Sequence, residues 1–271
     1  MSEIRVDARG TECPESDEAV MELAISAGRV LLENGAEIFR AEDTVRRIYT
    51  HYGVTTGREF VLTNGVFVSA GSTHEDMFAR VESISQFDIN MEKITAVNEL
   101  SRDIEDGRYT VREAMQKLES IKKLKGKSLP AVILASGAGS AAFCYILDST
   151  LADGICAFAA GSAVYAFILF ADRIRMSKLV RNVIGAIIVT VISWLLYMTG
   201  VGAHLNPMII GSIMPLIPGV AFTNAIRDIA DGNYLSGTVR LLDAVIIFTA
   251  IAIGVSMGLM LINRISGVIP V

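Results

Sequence analysis

Only seven of the 24 Lys and Arg residues and six of the 29 Asp and Glu residues of this 271-residue chain fall after Ser128. Between those sparse charges lie five uncharged apolar runs, at 128–147, 154–171, 182–203, 205–226 and 244–263. A helix crossing roughly 30 Å of hydrocarbon needs about 20 such residues, so each run has the length of a membrane span. The chain must therefore satisfy its backbone polar groups inside a bilayer over half its length, and helices do that within each segment. The expected architecture is an α+β cytoplasmic N-terminal domain at 1–127, followed by an all-α transmembrane bundle of about five helices at 128–271. The lipid bilayer is the first partner.

Basic residues beside short connections are retained on the cytoplasmic side. Lys122, Lys123, Lys125 and Lys127 precede the first run, Arg173, Arg175, Lys178 and Arg181 separate the second from the third, and Arg227 and Arg240 separate the fourth from the fifth. The alternate connections and the tail carry only Arg264. This ten-to-one division predicts a multi-pass protein of the cytoplasmic membrane with its N-terminus in the cytoplasm and its C-terminus outside. The acidic start, "MSEIRVDARGTECPESDEAV", has no basic segment followed by an apolar core, so no cleavable signal peptide is expected. Small residues crowd the spans, as in "ASGAGSAA", "AFAAGSA" and Gly254-xxx-Gly258. They let helix backbones approach closely where lipid supplies no hydrophobic drive, and they make self-assembly or a partner chain plausible.

The first half has a different pattern. "DEAVMELAISAGRVLLENG" and "IFRAEDTVRRIYTHYG" space apolar residues at helical intervals, "REFVLTNGVFVSA" places a hairpin turn at Asn64-Gly65, and "ARVESISQF" alternates as a third strand. Two charged amphipathic helices, "MEKITAVNELSRDIEDG" and "YTVREAMQKLESIKKLKG", lead to the membrane. Gly35, Glu37, Arg40, Glu42 and Asp43 stand close together in "GAEIFRAED", either as a charged site or as a solvated helix face with pairs one turn apart. Cys13, Cys144 and Cys156 lack a CxxC spacing, and His51 and His74 lack partners at ligand spacing, so neither a metal site nor a disulfide framework is expected. "KLKGKS" fails the phosphate-loop pattern because Ile121 stands where its first glycine is required. No cofactor is expected, and the basic residues do not gather with aromatics as on a nucleic-acid surface.

The fourth run, which continues as "NPMIIGSIMPLIPGVAFTNAIRDIADGNYLSG", contains Pro207, Pro215 and Pro218. Interior proline removes a helix hydrogen bond, and hydrocarbon offers no water to replace it. Two readings stay open: a simple kink, or a discontinuous helix whose exposed ends line a substrate cavity. In the second, Asn206, Pro207, Pro215, Pro218 and Gly219 belong to the site, and the positive end of a half-helix suits a carboxylate. Beyond the break Asn224, Arg227, Asp228 and Asp231 share one helix face, and Asn224, Arg227 and Asp228 are further candidates for substrate handling, the alternative being a loop of interfacial charges. Arg227 can pair with Asp231, and Asp228 can face Arg240 or Asp243. Asp243, at the edge of the last run, is the candidate for proton coupling.

"NGAEIFRAEDTVRRI", "VLTNGVFVSA" and "PLIPGVAFTNAIRDIADGNYLSG" together resemble the threonine/serine exporter family, in its larger, N-terminal-type component, which also occurs in two-component succinate export systems. The resemblance covers nearly the whole chain. It implies export of a small carboxylated metabolite (threonine, serine or a dicarboxylate) driven by an ion gradient. Fused members of the family carry further spans, so a chain of five spans resembles the split arrangement that needs a separate small membrane subunit. The competing expectations are a membrane-anchored enzyme using the Glu37–Asp43 cluster, and a sensor that binds metabolites without moving them.

Overall fold

The computed structural model describes residues 16–54, 57–70, 78–84, 89–124, 126 and 128–266. Cys13, His74, Lys125, Lys127 and the expected strand beyond Ile84 lie outside the described residues. The chain is mostly helical and divides into two compact units, one of 1–126 with 220–241 and the other of 127–219 with 242–271. The first unit thus takes in 22 residues, 220–241, that the sequence places with the membrane half.

In the first unit α1 (Asp17–Glu33) and α2 (Ile38–His51) are followed by β1 (Arg58–Leu62), β2 (Gly65–Ala70) and β3 (Phe78–Ser83), then α3 (Met91–Glu105) and α4 (Val111–Lys122). Each helix except α2 opens on its own side-chain cap: Ser16 for α1, Asn90 for α3, and Thr110 with Glu113 in a reciprocal capping box for α4. The strands form an antiparallel meander in the order β1-β2-β3, with Val61 opposite Val66 and Phe67 opposite Val81. Alternation turns Val61, Val66 and Val68 into the core and leaves Phe60, Phe67 and Val81 exposed. One aliphatic core joins these strands to the inner faces of all four helices, with Leu23, Leu31, Ile38, Ile48, Ile104 and Leu118 fully enclosed. α9 (Gly219–Ala230), from Val220 onward, and the first turns of α10 (Tyr234–Ser266) complete this unit.

The second unit contains α5 (Leu129–Ile146), α6 (Leu151–Arg173), α7 (Lys178–Met198), α8 (Leu205–Ile213) and the remainder of α10. α5, α6, α7 and α10 are long and apolar enough to cross a membrane, and the fourth expected run makes a fifth span only if its two bent pieces are counted as one. That run does not form one helix. α8 has nine residues and passes into a 3₁₀ turn at Met214–Leu216, and the chain resumes as α9 only at Gly219. Pro215 and Pro218 withhold the amide hydrogens that a continuous helix would use, whereas Pro207 sits in the first turn of α8, where its missing donor costs nothing. α5 and α6 meet through small residues: a side chain at Gly161 would strike Ser140, and one at Gly211 of α8 would strike the backbone of Ser140 and Cys144. Gly254 of α10 approaches the backbone of α7 at Val183 in the same way.

Candidate functional site

The conspicuous polar assembly lies in the first unit, where α1 ends and α2 begins. Asn34 and Gly35, with φ +86° at the glycine, turn the chain sharply, and only Ala36 and Glu37 separate that turn from Ile38. Glu37 occupies the cap position of α2, but its side chain makes no capping hydrogen bond. The first amide of α2, that of Ile38, instead donates to Oδ1 of Asp228 at 3.1 Å, across 190 positions of sequence. Asp228 Oδ2 accepts from Arg240 at 3.0 Å, and the same guanidinium donates to the Ala36 carbonyl at 3.0 Å. The Asn224 side-chain amide donates to the Gly35 carbonyl at 2.9 Å. Arg227 donates to Glu37 at 3.0 Å, and Arg40 stands 3.7 Å from the same carboxylate.

These contacts follow from α9 being amphipathic. Asn224 and Asp228 are one turn apart, so both reach the Gly35–Ile38 loop from one face, and Arg227 extends from beside them to Glu37. Asp228 and Arg240 are 1% and 9% exposed, which makes them a buried ion pair. The carboxylate's charge is met by a guanidinium and by the positive end of α2. Thr63, at the β1–β2 turn, donates through its amide to Ser236 Oγ at 3.1 Å and through its hydroxyl to the Ser236 carbonyl at 3.3 Å. The first turn of α10 is therefore fastened to the hairpin as well. An arrangement in which the loop's carbonyls and the carboxylate already have partners serves as a joint between segments far apart in sequence, rather than as an open pocket.

Among the sequence candidates, the structure brings Gly35, Glu37, Arg40, Asn224, Arg227 and Asp228 together, pairs Asp228 with Arg240 rather than Asp243, and adds Ala36 and Ile38. Arg227 turns to Glu37 rather than to Asp231, which is exposed. Asp43 pairs with Arg47 at 2.7 Å. Glu42 joins a neighbouring group: Tyr49 donates to the Glu59 carboxylate in a short hydrogen bond, and Arg46 pairs with Glu59 at 2.6 Å. Burial first, and then the adjacent Glu59 charge, pushes the Glu42 carboxyl above its ordinary range, while burial together with the bond to Glu59 raises the Tyr49 hydroxyl. Asp243 and Asn206 are exposed, and Pro215 and Pro218 are half-buried on either side of the 3₁₀ turn. Gly219 has open space beside it. Among the described residues, no three His, Cys, Asp or Glu side chains converge as a metal site requires.

In the second unit α8 is enclosed by α5, α6 and α7, with Leu205, Met208, Ile209, Gly211 and Ser212 buried. Its N-terminus is not open. The Asp153 carboxylate, at the start of α6, already accepts hydrogen bonds from the amides of Ala203 and His204. Nothing in the sequence reading singled out Asp153. The available signal was Thr150-x-x-Asp153, the spacing of a capping box at the mouth of an apolar helix.

A unit with one large aliphatic core, joined in one chain to four helices long and apolar enough to cross a membrane and to a bent helix pair that would make a fifth, defines the class of multi-pass membrane proteins. The family model described as "Putative threonine/serine exporter" matches residues 22–262, and the chain belongs to that family. It is 21% identical to the "Threonine/serine exporter" of Corynebacterium glutamicum over 93% of this chain, but it spans only 53% of that protein. It is also 24% identical to the "Probable succinate transporter subunit YjjP" of Klebsiella aerogenes, covering 89% of this chain and 93% of the relative. The protein of the same description from Escherichia coli strain K12 is 25% identical, over 90% and 95%. No solved structure matches the chain.

Proposed function

We propose that the chain is the larger subunit of a cytoplasmic-membrane exporter of small carboxylated metabolites, either threonine and serine or a dicarboxylate such as succinate. An ion gradient drives it, and a separate small membrane subunit, self-association or both complete it. Family membership supports transport over the enzyme and sensor readings. The relatives of matching length are described as transporter subunits, and the fused-length relative is about twice as long, which supports the missing partner. The ten-to-one division of basic residues supports a cytoplasmic N-terminus and an external C-terminus.

The structural observation that carries the reading is the course of the fourth run. After α7 the chain must return to the first unit, because α9 from Val220 onward belongs there. Between α7 and α9 only α8 and one 3₁₀ turn are helical, 12 residues that rise about 20 Å. That is short of the roughly 30 Å of a bilayer core. A half-span ending in irregular backbone is tolerated at that depth only where protein or a water-filled cavity surrounds it. Asn206, Pro207, Pro215, Pro218 and Gly219 are assigned to substrate handling there, and Asp243 to ion coupling. Within the first unit the Gly35–Ile38 segment grips Asn224, Arg227 and Asp228, the charged face that follows the break in sequence.

Vesicles containing the chain, with and without a co-expressed small membrane subunit, should release labelled succinate, threonine or serine only when both are present and a gradient is imposed. Substrate binding without flux in the paired preparation would favour a sensor, and a reporter fused after Val271 that is active only in the cytosol would overturn the orientation.

A further inference from the structure

The Asp153 carboxylate is completely buried, yet the sequence around it gives it no basic residue. An ionisable side chain at the end of a membrane helix is costly without partners, and here five donors converge on it. Oδ1 accepts from the Ala203 amide at 2.6 Å and the His204 amide at 3.0 Å. Oδ2 accepts from the Thr150 amide at 2.9 Å, the Thr150 hydroxyl at 2.7 Å and His204 Nδ1 at 2.9 Å. Thr150 and Asp153 form the capping box that opens α6, and His204 is the cap residue of α8, with no side-chain capping bond of its own. One carboxylate therefore sits on the positive ends of two helices, where backbone amides and helix dipoles favour an anion.

We propose that Asp153 is the positioning residue of the broken span. Its carboxylate takes the place of a bound anion at the N-terminus of α8 and fixes that short helix to α6, so that the break at Met214–Pro218 is held at a set depth among α5, α6 and α7. α8 is too short to be located by its own two ends in the bilayer, and at its C-terminal end it gives way to the 3₁₀ turn at Met214–Leu216. The latch at His204 is thus the polar anchor at its other end. Gly202 approaches Met208 and Asp153 so closely that a side chain there would meet the Met208 thioether, so the glycine lets the loop lie against the carboxylate. The His204 side chain is half-exposed, and the residue supplies two of the five donors, its backbone amide and its ring Nδ1.

The account of flux rests on the transport reading, but the latch can be tested without it. In the purified full-length chain, Asp153→Ala empties the cradle. It should lower the unfolding temperature by several degrees, and sodium formate, which is small enough to enter, should restore most of the loss, whereas sodium chloride at equal ionic strength should not. Asp153→Asn fills the same volume but brings an NH2 group against donors. It should be destabilised too, and formate should not rescue it. In vesicles holding the small subunit, both variants should lose labelled succinate or threonine flux by about tenfold or more, the equivalent of one lost charged hydrogen bond. If Asp153→Ala fails to insert, Asp153→Asn carries the test. Wild-type stability in either variant, or a loss in Asp153→Ala that no carboxylate reverses, would overturn the proposal. If wild-type chain shows no flux while formate rescue is seen, the latch stands and the transport reading fails.

Discussion

The two units use side-chain size in opposite ways. The first buries large aliphatic residues from every element, among them Leu23, Leu31, Ile48, Ile104 and Leu118, in one continuous core. The second has only small clusters of large residues, and its helices meet where Ser140, Ala157, Ala160, Gly161, Ala186 and Gly211 bring backbones together. In water, removing apolar area from solvent is the main drive, so volume inside is rewarded. In lipid the surroundings are as apolar as leucine, so close approach and interhelical polar contacts must hold the helices instead. The boundary falls inside two helices, because α9 and the start of α10 are claimed by the polar joint of the first unit.

This contrast can be broken in graded steps. The largest effect is expected at the joint itself. Asp228→Ala would leave the Arg240 guanidinium buried without a counter-charge and the Ile38 amide without an acceptor, at a cost of about 3–5 kcal/mol in denaturant unfolding. Leu31→Ala, at a fully enclosed position of the first core, should cost about 2–5 kcal/mol through lost burial and the cavity left behind. The second unit should respond to the reverse change. Gly254→Leu, against the α7 backbone, overpacks the contact and should cost about 1–3 kcal/mol in thermal unfolding in detergent.

The smallest effect concerns pH. Because burial and Glu59 raise the folded-state pKa of Glu42, the folded chain holds that proton more tightly than the unfolded chain. Its contribution is therefore fully present below the unfolded value, about pH 4, and is lost as pH rises through the raised folded value. Glu42→Gln should accordingly raise the unfolding temperature modestly at neutral pH and leave it unchanged in acid.

Much of the first unit was legible from periodicity. The α1 and α2 boundaries, the Asn64-Gly65 hairpin and the third strand all follow from local patterns of apolar and turn residues. The length of α5 follows equally from a run without charge, whereas α6 and α7 take in charged residues at their ends, and α10 begins ten residues before its run, at Tyr234, and carries Arg240 and Asp243 within the helix. The membership of α9 was not legible, because an apolar count through Ile226 hides the fact that Ala225 and Asp228 face one way while Ile226 faces another. Nor does any local signal show that α2 borrows its cap from Asp228, a contact spanning 190 positions. Arg240 could be named as a possible partner only because it follows in the same connection. Asp153 was hidden for a different reason: a lone carboxylate beside a turn reads as solvated unless the loop that closes over it is known.

The central claim, that the interruption of the fourth run is the working part of the exporter, is tested most directly by replacing Pro215 and Pro218 together with Ala and measuring efflux of labelled succinate or threonine from vesicles that contain the small subunit. The account predicts a chain that inserts in normal amount and whose efflux is abolished, because a continuous helix would remove the interruption that is assigned to substrate handling. Undiminished efflux from a normally inserted double variant would contradict it.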